Sequence, residues 1–177
     1  MKQKFLLVLA LFFTFTSFAQ DFSNKGKDFW VAYGNHVRMF SNAAAAERMQ
    51  IYITSDVSTS GVVEIPSISF NQAYTVTANQ ITTIDIPRTA ALLDEGQYNH
   101  GIHITALSPV VVYSFIYVNA ISGATLCLPT NVLGREYYSI NYTQLSNEGN
   151  SFSYFAVVAT EDNTIVEITP SQNTKGG

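Results

Sequence analysis

Residues 102–118 read IHITALSPVVVYSFIYV, and this stretch decides the fold. In its first half Ile102, Ile104 and Ala106 alternate with His103 and Thr105, a period of two that gives a half-buried strand one apolar face. After the Ser108-Pro109 break, residues 110–118 are apolar at almost every position. Such a run predicts a central strand covered on both faces.

The same period recurs on either side. Tyr74, Val76 and Ala78 alternate with Thr75 and Thr77. Further strands are expected at residues 28–33, 50–54, 61–65, 81–86, 124–128, 137–141, 154–159 and 164–169. Turn residues punctuate them at 58–61, Asn79-Gln80, Ser122-Gly123 and 161–163, the spacing of antiparallel strands. Helix signals are thin. Residues 43–49 have the propensity but not the length to stand alone, and 89–95 reads as a short turn. The predicted fold is therefore all-β, with antiparallel β-sandwich units, Ig-like or jelly-roll-like, in tandem.

An internal echo sets the expected boundaries. IYITSDVSTSGVVEIP at 51–66 is matched by AVVATEDNTIVEITP at 156–170, and both read as one hairpin: a strand, a Thr/Ser/Asp turn, then Val-Glu-Ile and Pro. The first unit then spans about 50–118 and a partial second one about 137–177. The second unit reads as incomplete, with the chain truncated at its C-terminus.

Residues 1–19 carry a different signal. Lys2 and Lys4 precede an apolar run from Phe5 to Phe13, and Ser17 and Ala19 supply small residues before Gln20. This is the pattern of a secretory signal peptide, with an apolar core too short to span a bilayer. The remaining residues 20–177 are long enough for a domain with its own core. Only 12% of the chain is charged and 13% is aromatic, which excludes a disordered polyelectrolyte. A net charge of −4 with scattered basic residues excludes nucleic acid as a partner. Cys127 is the single cysteine, so no intrachain disulfide forms, and its place between Leu126 and Leu128 reads as a buried apolar position.

No constellation of catalytic residues emerges. His100 and His103, with Asp94 and Glu95 upstream, invite a metal site, but residues three apart on a strand face opposite ways. Glu161, Asp162 and Asn163 cluster oxygen ligands in one turn, too few for calcium, and read, like Asp56 in the equivalent loop, as turn formers. No Gly-x-Ser-x-Gly elbow appears, and adjacent carboxylates such as Asp94 and Glu95 do not flank one scissile bond. No catalytic, cofactor-binding or metal residue is assigned, and a non-enzyme is expected. Trp30, Tyr137, Tyr138, Tyr142 and Tyr154 are candidates for a sugar-stacking platform. Asn141-Tyr142-Thr143 is a glycosylation sequon.

Four stretches together, GKDFWVAYGN at 26–35, GIHITALSPVVVY at 101–113, LPTNVLGREYY at 128–138 and FAVVATEDNTIVEITP at 155–170, resemble the N-terminal domain of IgG-Fc-binding proteins. Tyr33 stands where that family would carry Phe. In bacteria this domain heads large secreted proteins, many with Ig-like repeats and a gliding-motility-associated sorting region. The resemblance implies a secreted or cell-surface binding and adhesion module without catalysis, facing an extracellular protein or glycan. The alternative is a carbohydrate-binding module of a larger polysaccharide-processing protein. No cofactor, nucleic acid or stable membrane span is expected.

Overall fold

The computed structural model describes residues 23–34, 48–118, 121–141 and 153–173. Among the described residues seven strands form an antiparallel all-β structure: β1 (Gly26–Val31), β2 (Arg48–Thr54), β3 (Thr59–Ile65), β4 (Phe70–Val76), β5 (Ile81–Ile86), β6 (Ile102–Val118) and β7 (Ile121–Cys127). Three short 3-10 turns, Pro66–Ile68, Arg88–Ala90 and Thr130–Val132, are the other regular elements among the described residues.

The long strand β6 organises the rest. Its first half lies between β1 and β3, with Trp30 opposite His103 on one side and Glu64 opposite His103 on the other. Its second half lies between β2 and β7, with Tyr113 opposite Tyr52 and Leu126. β4 then extends the first half through β3, and β5 extends the second through β2. One strand thus serves two layers, as in sandwiches whose corners are made by strands that switch sheets.

The core lies between the layers and is read directly from alternation. Phe29, Val31, Val63, Ile65, Ile102 and Ile104 line one side, and Met49, Ile51, Ile53, Ile84, Val110 and Val112 the other, all buried. Most are β-branched, as suits a pleated half-buried surface. Tyr33 and Tyr74 add polar tips to this core. The Tyr33 hydroxyl donates to the carbonyl of Gln50 at 2.6 Å, so the departure from Phe at this position has a hydrogen-bond partner. The Tyr74 hydroxyl donates to the carbonyl of Thr105 at 2.8 Å. Burial pushes the Tyr74 phenol up to about 12 and that of Tyr33 further still.

The crossing between layers is built from small polar side chains. Pairing with β1 jumps from Thr105 to Val110, so Leu107, Ser108 and Pro109 bulge out of the ladder. Pro109 supplies no N–H, and the buried Ser55 hydroxyl donates to its carbonyl at 2.8 Å. The Ser108 N–H donates to Thr59 Oγ1 at 3.0 Å. Ser55→Ala leaves the Pro109 carbonyl without that donor and is expected to cost roughly 1–3 kcal/mol in urea unfolding. A loss no larger than that of an exposed serine would show that the bulge does not depend on this hydroxyl.

Several expectations are corrected. The break at Ser108-Pro109 does not divide two strands, because a bulge bends the backbone while the ladder continues beyond it. Residues 51–66 do not form a hairpin: β2 pairs with β5 and β6, and β3 with β4 and β6. The Thr/Ser/Asp turn instead carries the chain across the sandwich. Ser122-Gly123 falls inside β7, which pairs with β6 from Ile121 onward. Residues 110–118 are not covered on both faces, since Tyr113 and Tyr117 remain about 40% exposed.

Residues 137–141, 154–159 and 164–169 form no strands, and Tyr138, Ile140 and Ile165 are almost fully exposed. Alternation supplies a face, but a strand also needs a neighbour to take its backbone hydrogen bonds. Of the expected turn at 89–95 only the first two residues belong to one, the 3-10 turn Arg88–Ala90, and of the segment 43–49 Arg48 and Met49 belong to β2, while residues 43–47 and the leader at 1–19 lie outside the described residues.

Candidate functional site

The inner face of the β2–β6–β7 layer uses Ile51, Ile53, Val110, Val112 and Cys127, so the residues between them must point outward. That outer face carries Tyr52 on β2, Tyr113, Phe115 and Tyr117 on β6, and Leu126 on β7. Tyr113 is 38% exposed, Tyr117 40% and Leu126 39%. The rings touch in sequence: Tyr52 and Phe115 have centroids 5.4 Å apart, and Phe115 and Tyr117 stack at 6.4 Å with planes 15° apart. A polar chain fixes the edge of this cluster. The Tyr52 hydroxyl donates to Gln50 Oε1 at 2.9 Å, and Gln50 Nε2 donates to Asp85 Oδ1 at 2.7 Å.

Aromatic side chains on strands lose little freedom when they are covered, and strands hold them more rigidly than loops do. Aromatic rings beside amide and carboxylate groups match the composition of recognition surfaces, whose anchors are aromatic and whose rims are polar. The sequence signal for this face was present but ambiguous. An apolar run cannot say which of its faces a second layer covers.

The suspected metal residues go elsewhere. His103 lies on the outer face of the other layer, where Nε2 approaches Asp28 Oδ2 at 2.7 Å and Nδ1 approaches Glu64 Oε1 at 3.1 Å. Its ring stacks on Trp30 with centroids 4.3 Å apart and planes 13° apart. Both nitrogens are therefore occupied by carboxylates on opposite sides, which is a bridge rather than a cation cage. His100 instead lies beside Tyr98, 5.5 Å between ring centroids, and the Tyr98 hydroxyl bonds the backbone of Asp94. Among the described residues no group of three His, Cys, Asp or Glu is placed to hold a metal ion.

The two suspected turns are closed locally. Asn163 takes the left-handed conformation at φ 59°, and the Thr164 hydroxyl donates to the carbonyl of Glu161 at 2.7 Å. Asp56 pairs with Lys25 at 3.1 Å, and that ammonium group holds its carboxyl below the usual range. The Cys127 thiol is buried, which pushes its pKa up and makes it a weak nucleophile.

Of the expected sugar platform, Trp30 is committed to His103. Tyr137 folds back onto the backbone of Gly134, Tyr138 is 98% exposed, and Tyr142 lies outside the described residues. Tyr154 packs against Gly34 and lines an open groove of about 1930 Å³ between residues 92–101 and 154–168. Asp94, Glu95, Glu161 and Asp162 also line it, and none of its lining side chains is Lys or Arg.

The architecture is that of an antiparallel β-sandwich domain with a preformed aromatic sheet face. The sequence profile of the family described as IgGFc binding protein matches residues 123–177. That stretch holds two of the four segments on which the resemblance rests, LPTNVLGREYY and FAVVATEDNTIVEITP, and shows the family's pattern there. No curated protein and no solved structure matches the chain. No helix among the described residues is long and apolar enough to cross a membrane.

Proposed function

We propose that the chain is an exported binding and adhesion module without catalysis, which grips an extracellular protein partner on the aromatic outer face of β2, β6 and β7. The observation that carries this reading is the contiguous set Tyr52, Phe115 and Tyr117, flanked by the exposed Tyr113 and Leu126. Burial of rigid rings against a partner releases water without a large ordering cost. The family description supports a binding role and suggests the first probe, the Fc fragment of IgG. The leader at 1–19 supports export. The secreted, surface-anchored context of gliding-associated proteins belongs to the same reading and rests on the resemblance alone.

A second reading is a carbohydrate-binding module of a larger secreted protein. The stacked rings of Phe115 and Tyr117, next to the Gln50–Asp85 pair, favour it, because sugars combine apolar faces with hydroxyls that bond amides and carboxylates. The test is binding of the mature chain to immobilised IgG Fc and to a panel of polysaccharides. Tyr113→Ser and Tyr117→Ser are expected to weaken whichever interaction is found by roughly tenfold or more each, as anchor residues do. Their melting temperatures should stay near that of the parent, since both side chains point away from the core. Retention on polysaccharide but not on Fc would select the second reading, and turnover of any polysaccharide would overturn the non-catalytic one.

A further inference from the structure

We propose that the groove between residues 92–101 and 154–168 is a second docking site, apart from the β2–β6–β7 face, and that its occupant is an extended, basic segment of another protein. The size of the groove points to a chain segment. At about 1930 Å³ it is roughly twice the volume of the largest ordinary small-molecule pockets, about 1,000 Å³. One wall is apolar: Phe155, Val157, Val166 and Ile168 line it, and all four remain exposed. Apolar side chains gathered on one wall, with a polar rim, mark a contact site in a way that scattered ones do not.

Backbone and charge together select the occupant. The stretch 154–168 enters no ladder among the described residues, so its N–H and C=O groups have no strand partner there. Trp30, which also lines the groove, belongs to β1, and the ladder partner of β1 among the described residues is β6. Strand addition uses such a setting: main-chain bonds hold an extended peptide, while its alternate side chains fill the apolar positions. The rim sets the sign of the charge. Asp94 and Glu95 line one side, Glu161 and Asp162 the other, all four exposed, and no Lys or Arg among the described residues lines the groove. Carboxylates around an apolar cleft draw in cationic partners and reject anionic ones. The segment that fits therefore alternates Lys or Arg with apolar side chains.

Trp30 is the single tryptophan and lines the groove, so its emission reads occupancy. The full mature chain is titrated with a short peptide of alternating Lys and Val and with its Glu-Val counterpart. The Lys-Val peptide is expected to change the emission saturably with a Kd below about 1 mM, more weakly as salt rises, and the Glu-Val peptide to leave it unchanged. Asp94→Asn with Glu95→Gln, and Glu161→Gln with Asp162→Asn, should each weaken the Lys-Val peptide by roughly threefold to tenfold, the size of two exposed ion pairs. Their melting temperatures should stay near that of the parent, because these carboxylates are exposed. Glu136→Gln, which removes an exposed carboxylate outside the groove, should leave peptide binding as it is. No saturable change with the Lys-Val peptide, equal binding of the two peptides, or undiminished binding in either double variant would each overturn the proposal. So would a dimer of the mature chain in sedimentation that the Asp94→Asn, Glu95→Gln variant loses, since a second copy would then fill the groove.

Discussion

Gly61→Ala is expected to lose roughly 3 kcal/mol or more of folding stability, and Gly61→Val to leave no folded domain under ordinary conditions. Gly61 lies on β3 opposite Ala106 of β6 and Tyr74 of β4. A methyl group built there would fall 1.9 Å from the carbonyl oxygen of Thr105 and 2.5 Å from the Tyr74 hydroxyl. The Tyr74 ring crosses over this glycine to donate its hydrogen bond to Thr105. The obstruction is therefore backbone on one side and a hydrogen-bonded phenol on the other, and neither rotates away. Urea unfolding of the alanine variant reads the effect, and a loss below about 0.5 kcal/mol, the range of ordinary surface changes, would contradict the packing described.

The second large effect is at Phe29. It is fully buried on β1, opposite Ile104. Phe29→Ala removes most of a buried aromatic side chain and leaves a cavity that surrounding strands fill only in part, at a cost of about 3–5 kcal/mol. Because β1 is held through β6, its amide protons should also lose protection against hydrogen exchange more than those of β2 or β5. Equal loss across all strands would mean that the sandwich unfolds as one unit and that β1 has no separate stability.

These two positions mark what a sequence can and cannot reveal. Phe29 belongs to the alternating pattern Phe29, Val31, Tyr33 and is legible as core from period alone. Gly61 is not, because its constraint comes from Thr105 and Tyr74, residues 44 and 13 positions away in the chain. The all-β class, most strand positions and the buried place of Cys127 follow from local chemistry. Pairing does not: the stretch 51–66 has the signature of a hairpin, yet its two strands separate to flank opposite halves of β6.

The site divides in the same way. The aromatic residues of 110–118 are visible in the sequence, but that the described residues leave Tyr113 and Tyr117 about 40% exposed is a tertiary fact. His103 was legible as the outward partner of Ile102 and Ile104. Its two carboxylates were not, since Asp28 and Glu64 lie 75 and 39 residues away and reach it only through strand register. The strand-like pattern at 154–169 shows the converse limit, since it pairs in no ladder among the described residues.

The most direct measurement compares the mature chain with a Tyr113→Ser, Tyr117→Ser double variant for retention on IgG Fc and on polysaccharides, with melting temperatures taken in parallel. A recognition face on β2, β6 and β7 predicts that binding disappears while the melting temperature holds. Undiminished binding by the double variant would place recognition elsewhere on the molecule and contradict the account.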